Sequence, residues 1–248
     1  MQQRLAGLTV FSDAAALAEA AAIRMQEALA GRATRSAVCL SGGSTPARLY
    51  QFLASEPFLG TMPWDRVHWF WGDDRLVPRE DERSNFGEAW RLLLNKAPIP
   101  PGNIHSISTN TTDPAQAAQQ YETELRRFYG SETIDPARPL FDVVLMGVGH
   151  DGHTASLFPG QTQTEEMWRW AVGVPIAGAE PFVPRVSLTF PALASTRDML
   201  FLVSGKDKRG VLTRIMDGAD VPAARAYSHG SLIWLVDSDA APENRHAA

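Results

Sequence analysis

The chain has 248 residues, a formal net charge of −5 and a pI near 5.7. This acidic balance argues against a nucleic-acid partner, because affinity for phosphate backbones comes from clustered lysines and arginines, although a few local cations suffice for one small anion. No stretch reaches the roughly 18 apolar residues of a membrane span, no signal-peptide pattern opens the chain, and the one cysteine, Cys39, excludes an internal disulfide. We therefore expect a cytoplasmic protein without membrane or nucleic-acid partners, in which Cys39 is a core residue.

Apolar runs typical of buried strands alternate with helical patterns along the chain. A capped helix is predicted to follow Ser12-Asp13 and to stop at Gly31. Predicted strands cover residues 36–40, 66–72, 141–147, 186–190, 198–205 and 231–237. Further helices are predicted from Pro46, from Ser84, from Asp113-Pro114 to about Tyr129, and after residue 205.

This alternation predicts an α/β fold with a mostly parallel sheet and helices on both faces, a Rossmann-like arrangement. No linker justifies a division, so one domain over residues 1–248 is expected, with a frayed tail from about Asp239. Ligands of such sheets bind at the carboxyl ends of the strands. The turns that follow the predicted strands are therefore the candidate site.

The segment "SGGSTP" (41–46) joins the first of these strands to a helix. Its glycines let the backbone approach a ligand, and the free N–H groups at a helix start favour an anion such as phosphate. The candidate contacts are Gly42, Gly43, Ser44 and Thr45. The alternative is a tight turn with a Ser/Thr cap, and the missing P-loop lysine and G-x-G-x-x-G patterns argue against a nucleotide.

The segment "WGDDRLVPREDERSN" (71–85) follows the next strand. Asp73 and Arg75 lie directly at the strand's carboxyl end, where an arginine can clamp phosphate through two parallel hydrogen bonds. Arg83 is a weaker candidate for the same role. Residues 80–82 are interpreted as a solvated loop.

The segment "GVGHDGHTASLFPG" (147–160) places a histidine in a glycine-rich turn after a buried strand. A neutral imidazole is a suitable general base for activating water, which makes His153 the candidate base. Gly149 and Gly152 are candidates for close contact with substrate. A metal site made by His150, Asp151 and His153 is disfavoured, because the sequence offers no second ligand cluster.

Three cations complete the candidate site. Arg185 precedes a predicted strand in "PRVSLTF", and Lys206 and Lys208 lie between a strand and a helix in "SGKDKRG". Lysines are unfavourable at a helix start, so an anion between them would explain their position. The alternative for each lysine is a solvated helix start.

Together these segments resemble the 6-phosphogluconolactonase family, within the larger group that includes glucosamine-6-phosphate deaminase/isomerase. The matching pieces occur in family order and are "SGGSTP" (41–46), "DDRLVP" (73–78) with "SN" (84–85), "GHDGHTASLFPG" (149–160), "RVSLT" (185–189) and "SGKDK" (204–208). Two departures are visible. The family usually shows Asp-Glu-Arg at residues 73–75, and the residue before Asp151 is usually not histidine.

The resemblance implies hydrolysis of 6-phospho-D-glucono-1,5-lactone, with a phosphorylated sugar lactone as the small-molecule partner, no cofactor and no metal. It implies that His153 activates water and that Asp73 or Asp151 orients the imidazole or the substrate hydroxyls. Arg185 and the N–H groups of the glycine loop would stabilise the oxyanion. Phosphate would be held by the turn at residues 42–45, Arg75 and Lys208.

Two alternative functions are considered. The deaminase/isomerase relatives resemble D-E-Y at the first site and G-H-I-A-F-N-E-P at the second, and this chain has Arg75 and Ser156-Leu157-Phe158 at the corresponding positions. A non-catalytic sugar-phosphate-binding domain would keep the phosphate turn but would have no use for a water-activating histidine. The sequence leaves a monomer or a homodimer, the range of lactones, the aspartate that orients His153 and the role of His150 undecided.

Overall fold

A computed structural model of the protein describes residue 5, residues 7–31 and residues 35–242. In chain order the strands are β1 (Leu8–Phe11), β2 (Ser36–Leu40), β3 (Val67–Trp71), β4 (Asp73–Arg75), β5 (Phe141–Met146), β6 (Ala171–Val174), β7 (Arg185–Leu188), β8 (Thr196–Val203) and β9 (Ser231–Asp237). Six of them form a parallel sheet in the order β1-β9-β8-β5-β2-β3. The expected mostly parallel α/β fold is confirmed.

The helices connect these strands. They are α1 (Ala14–Ala30), α2 (Ser44–Leu53), α3 (Phe58–Thr61), α4 (Asn85–Ala89), α5 (Pro114–Tyr129), α6 (Phe190–Ala194), α7 (Arg209–Met216) and α8 (Pro222–Arg225). A π-helical turn over Trp90–Leu94 extends α4, and 3-10 turns cover Pro101–Asn103, Thr162–Glu165 and Lys206–Lys208. No helix in the described ranges is both long and apolar enough to cross a bilayer.

Local sequence signals explain the longer helices. The Asp13 carboxylate accepts from the N–H groups of Ala15 and Ala16 at the start of α1, and Asp113 does the same for Ala115 at the start of α5. The buried face of α1 repeats every three or four residues, and its members are Leu17, Ala18, Ala21, Ala22, Met25 and Leu29. These two predicted helices are therefore confirmed together with their caps.

The central strands of the parallel sheet are buried on both faces, as their apolar runs require. Every residue of β2 is buried, and the aromatic side chains of Trp69, Trp71 and Trp234 are almost completely enclosed. Cys39 is fully buried, and burial raises the pKa of its thiol well above the ordinary value. The interpretation of Cys39 as a core residue is thus confirmed.

A second sheet departs from the predicted pattern. β7 pairs antiparallel with β4 on one side and β6 on the other, so the strand predicted at residues 186–190 lies outside the parallel sheet. β4 was expected to be a charged loop, and β1 and β6 were not predicted. These short strands are defined by pairing with β7 or β9, and their own sequences carry little period-2 signal.

Gly72 joins the two sheets. Its N–H donates to Leu40 O of the parallel sheet, and its carbonyl accepts from Leu188 N–H of the antiparallel one. β3 and β4 are therefore separated by a single residue. This connection places Asp73 and Arg75 at the carboxyl edge of the parallel sheet.

The end of the chain is packed further than the sequence predicted. Ala240 is fully buried, and its N–H donates to the Asp237 carboxylate. Arg209 also donates to the carbonyl of Asp239. Fraying from Asp239 is therefore wrong for Asp239 and Ala240, while residues 243–248 lie outside the described residues.

Candidate active site

A cleft of about 550 Å³ opens at the carboxyl ends of β2, β5 and β8, between the parallel sheet and β4 and β7. Its walls come from all the segments that the sequence selected. Of the residues predicted for the site, the cleft is lined by Gly42, Gly43, Ser44, Thr45, Asp73, Arg75, Gly149, Asp151, His153, Arg185 and Lys208. Gly152, Arg83 and Lys206 do not line it.

A histidine–carboxylate pair lies in the loop after β5. Nδ1 of His153 is 2.6 Å from Oδ1 of Asp151, and the same oxygen accepts from the backbone N–H of His153 at 3.0 Å. Burial alone would raise the pKa of Asp151, but these hydrogen bonds and the imidazole bring it below its ordinary value. The structure therefore selects Asp151 over Asp73 as the residue that orients His153.

The second nitrogen of His153 is available. Nε2 has no hydrogen-bond partner among the described residues, and the imidazole is 20% exposed in the cleft. The ring also packs against Phe158, with ring centroids 4.7 Å apart. With Nδ1 taken by the carboxylate, Nε2 is the atom that can exchange a proton with a ligand.

Gly149 makes room for the imidazole. A Cβ on Gly149 would lie 2.1 Å from Nδ1 and 2.1 Å from Cε1 of His153. Gly149 N–H donates to the His153 carbonyl, and Gly152 N–H donates to the Gly149 carbonyl, so the loop closes on itself. A side chain at residue 149 would displace the histidine.

Gly152, predicted to contact substrate, does not line the cleft. Gly152 has a φ of 94°, and a Cβ there would lie 2.5 Å from Cβ of Val221. Its carbonyl accepts from Ala223 N–H at 2.9 Å. Gly152 thus docks the histidine loop against α8 on the side away from the cleft lining.

Asp73 is buried in a separate hydrogen-bond network. Its Oδ2 accepts from the Ser156 hydroxyl at 2.6 Å, and Nδ2 of Asn85 donates to the Asp73 carbonyl at 2.9 Å. Sequence reasoning gave Asn85 no role, although "SN" was one of the matching motifs. Asn85 also lines the cleft. A Cβ on Gly42 would lie 2.0 Å from Oδ1 of Asn85, so a glycine at residue 42 is needed to leave room for the Asn85 side chain.

Asp74 organises the loop between β4 and α4. Its carboxylate accepts from the backbone N–H groups of Arg75, Asn85 and Phe86 at 2.7, 2.7 and 2.9 Å. Burial raises the pKa of Asp74 to about 6, and these three hydrogen bonds oppose the rise. This shorter acid, at a position where the family usually has glutamate, thereby fixes two residues that line the cleft.

Two arginines line the cleft from adjacent strands, since Arg75 of β4 is paired with Arg185 of β7. Arg185 is 2% exposed, and its Nη2 donates to the carbonyls of Ala179 and Pro181 at 2.8 and 3.1 Å. Burial lowers the pKa of Arg185. Arg75 donates from Nη1 to the Arg83 carbonyl at 2.5 Å. Both guanidinium groups are therefore held in place by backbone oxygens.

The remaining cations differ in their availability. Arg83 binds the Asp81 carboxylate through both Nε and Nη2, at 2.8 and 2.6 Å, which leaves it committed outside the cleft. Lys208 lines the cleft, with Nζ 3.7 Å from Asp207, whereas Lys206 is exposed elsewhere. Of the two lysines, the structure therefore selects Lys208.

The start of α2 offers unpaired donors. Gly43 has a φ of 109°, which presents the first turn of the helix to the cleft. The N–H groups of Ser44 and Thr45 have no hydrogen-bond partner in the part of the chain that the structure describes. The Thr45 hydroxyl is 2.7 Å from that of Ser204 at the end of β8. Such a helix start binds anions through N–H groups and the helix dipole.

No group of three or more His, Cys, Asp or Glu side chains in the described residues is arranged to hold a metal ion. His150 and His153 do not converge, because Nε2 of His150 lies 3.4 Å from Asp207 while His153 contacts Asp151. The site is instead composed of N–H groups, cations and one histidine–carboxylate pair.

This combination at the carboxyl edge of a parallel sheet is typical of α/β enzymes, and its donors and cations suit a small anion. The comparisons agree. A family model described as glucosamine-6-phosphate isomerases/6-phosphogluconolactonase matches residues 12–234. A curated relative from Synechocystis sp., named 6-phosphogluconolactonase, is 38% identical over 221 residues, which are 88% of this chain and 88% of that protein.

Two further comparisons cover nearly the whole chain. A 6-phosphogluconolactonase from Streptomyces coelicolor is 35% identical over 95% of this chain and 94% of its own length. The crystal structure of 6-phosphogluconolactonase from Thermotoga maritima has a TM-score of 0.79 at 32% identity, with 93% of this chain and 99% of that chain covered. The chain belongs to the glucosamine-6-phosphate isomerase/6-phosphogluconolactonase family. The resemblance given by the sequence motifs is confirmed.

Proposed function

We propose that the protein hydrolyses 6-phospho-D-glucono-1,5-lactone to 6-phospho-D-gluconate, the second step of the oxidative pentose phosphate route. One observation carries the proposal. His153 has Nδ1 bound to Asp151 at 2.6 Å, and its Nε2 has no partner in the described part of the chain, in the same cleft as the donors at the start of α2. A base and an anion site in one cleft are what hydrolysis of a phosphorylated lactone requires. The names of the curated relatives support the same substrate.

In the proposed reaction, the Asp151 carboxylate accepts a hydrogen bond from Nδ1–H of a neutral imidazole, so that Nε2 of His153 carries the lone pair. Nε2 takes a proton from water as the water oxygen attacks the lactone carbonyl carbon. The C–O bond to the ring oxygen then breaks, and the imidazolium returns the proton to that oxygen. Water is thereby added across one ester bond with no change in oxidation state.

Negative charge develops on the carbonyl oxygen in the tetrahedral intermediate. Arg185 is the proposed cation near this oxygen, because it lines the cleft and carbonyl hydrogen bonds fix its guanidinium group. The N–H groups of Gly149 and Gly152 already donate to carbonyls within the turn, so they are not available to the oxyanion. The proposed backbone donors are therefore the other N–H groups of residues 147–151.

The phosphate is proposed to lie at the start of α2. Ser44 and Thr45 offer unpaired N–H groups there, and Arg75 and Lys208 line the same cleft. Gly42 supports this end indirectly, because it admits Asn85. Asp73, held by Ser156 and not by His153, is proposed to orient substrate hydroxyls.

The deaminase reading is weaker. Ser156, Leu157 and Phe158 stand where those relatives carry Phe-Asn-Glu, and all three are buried, so no acid faces the cleft there. A binding domain without turnover would leave the His153–Asp151 pair unexplained. Both alternatives can be tested by separate assays on the same preparation.

The experiment generates the lactone in place from glucose 6-phosphate, its dehydrogenase and NADP, at mildly acidic pH with EDTA present. Lactone loss above the spontaneous rate is expected for the wild type. His153→Ala is expected to lower kcat at least about 100-fold. His229→Ala, which removes an exposed histidine outside the cleft, is the matched control and should keep full activity.

Other outcomes would redirect the proposal. Ammonia release from glucosamine 6-phosphate would identify a deaminase, and ligand binding without turnover would identify a sugar-phosphate binder. A His153→Ala variant with most of its kcat would remove His153 from the role of base. A cytoplasmic location, one domain and a monomeric or homodimeric state remain predictions.

A further inference from the structure

An acidic side chain contacts the backbone just before α2, next to the proposed phosphate site. Glu88 lies on α4, and its Oε2 accepts a hydrogen bond of 3.3 Å from the N–H of Gly43. Gly43 is the residue that precedes α2 and lines the cleft beside Ser44. The first donor of the proposed phosphate site is therefore shared with a carboxylate of the protein itself.

The surroundings of Glu88 keep this carboxylate close to the site. Burial raises its pKa, and the Gly43 N–H and the positive charges of Arg75 and Arg91 oppose that rise. Arg75 is also the arginine proposed to bind phosphate. Glu88 thus draws on the same N–H group and the same cation as the expected ligand.

We propose that Glu88 limits the affinity of this site for phosphorylated ligands. A phosphate group at the start of α2 would compete with the Glu88 carboxylate for Gly43 N–H and would experience its negative charge at short range. The consequence is weaker retention of the phosphorylated product. This inference rests on the proposed function, since it requires phosphate at the start of α2.

The same carboxylate has an opposite effect on the free protein. A negative charge at a helix N-terminus stabilises the helix, and Glu88 also satisfies an N–H group that would otherwise lack a protein partner. Removal of its charge should therefore raise ligand affinity and lower thermal stability without ligand. A residue that only supports the fold would not raise affinity when it is replaced.

The test is titration of wild type and Glu88→Gln at fixed ionic strength with inorganic phosphate, 6-phosphogluconate and gluconate. Glu88→Gln is expected to bind phosphate and 6-phosphogluconate at least about threefold more tightly. Gluconate binding should not change, and KM for the lactone should fall. Glu82→Gln removes the same charge from an exposed position in the preceding loop and should leave every value unchanged.

The direction of the result decides the inference. Weaker binding by Glu88→Gln would show that Glu88 positions Arg75, and unchanged binding would show that it does not act on the ligand; either result overturns the proposal. Glu88→Ala gives a second reading should the glutamine variant fail to fold. Failure of the proposed function has a different signature, in which the wild type neither binds 6-phosphogluconate nor hydrolyses the lactone.

Discussion

Two histidines of this protein make almost the same contact with a carboxylate. Nδ1 of His153 lies 2.6 Å from Asp151 in the cleft, and Nδ1 of His105 lies 2.6 Å from Glu124 between β3 and α5. The second nitrogens differ. Nε2 of His153 has no partner among the described residues, whereas Nε2 of His105 lies 2.8 Å from Nδ1 of His68.

The surroundings of the two histidines also differ, because His105 is more deeply buried than His153. The His105 side chain is 5% exposed and stacks on Phe70, with ring centroids 4.4 Å apart, whereas that of His153 is 20% exposed in a cleft. Burial lowers the pKa of His105, and Glu124 only partly opposes this. A histidine–carboxylate pair is therefore no evidence of catalysis by itself. The free nitrogen and the open cleft distinguish the two pairs.

The largest difference expected between the two pairs concerns their carboxylates. Asp151→Asn should lower kcat at least about tenfold, because an amide can donate to Nδ1 and leave the proton on Nε2, the nitrogen proposed to act as base. Glu124→Gln makes the same change in the buried pair and should leave kcat within about twofold. Steady-state kinetics on both variants is the measurement. Equal losses would show that the pairs do not differ in role.

A methyl group tests the geometry of the cleft histidine. Gly149→Ala would place Cβ 2.1 Å from the His153 ring, so the imidazole must move, and kcat should fall about tenfold. Gly102→Ala is the control, because a Cβ at Gly102 meets nothing within 4 Å. Unchanged turnover by Gly149→Ala would indicate that the position of His153 is not critical.

The buried pair should contribute to stability and leave catalysis unaffected. His105→Ala removes a stacked ring and leaves His68 and Glu124 without this partner, so the free energy of unfolding should fall by about 1–3 kcal/mol. Turnover of the folded variant should stay within about twofold of the wild type. Denaturant unfolding and kinetics on one preparation measure both quantities. A large loss of kcat at full folding would contradict the comparison.

The smallest expected effect is a pH dependence of stability. Burial, with the positive field of His105, Arg35 and Arg127, lowers the pKa of His68 to about 4 in the folded protein, against 6.5 ordinarily. Between these values the unfolded chain binds more protons, so stability is present above about pH 6.5 and is lost as pH falls towards 4. In His68→Gln the free energy of unfolding should depend less on pH across this window, which denaturant unfolding at a series of pH values measures. An unchanged slope would assign the acid sensitivity to other groups.

Local sequence patterns predicted the elements that bury their own apolar residues. β2 is a continuous apolar run, and α1 and α5 carry caps that the sequence shows directly. β4 and β6 gave little such signal, because both are short strands that are defined by pairing with β7, and for β4 this partner lies far away in the chain. A strand of three residues with two acids is recognised only from its partner.

The candidate site also contains residues that local sequence patterns predict and residues that depend on the tertiary fold. Most of its residues could be predicted because they follow strands, and parallel strands bring their carboxyl ends together. The roles of Asp74 and Asn85 depend on how residues 75–86 fold back, which no local pattern specifies. The place of Gly152 beside Val221 could not be predicted, because a glycine beside a side chain has the same sequence signature as a glycine beside a ligand.

The single residue between β3 and β4 sets a limit on how this chain can vary. Side chains alternate along a strand, so Asp73 faces the cleft network while Asp74 faces the start of α4. One residue inserted next to Gly72 would shift the register and exchange these two acids. The cleft would then lose its carboxylate and the loop would lose its acceptor. Length changes are therefore more tolerable next to the exposed Glu80 and Glu82 than at the junction of the two sheets.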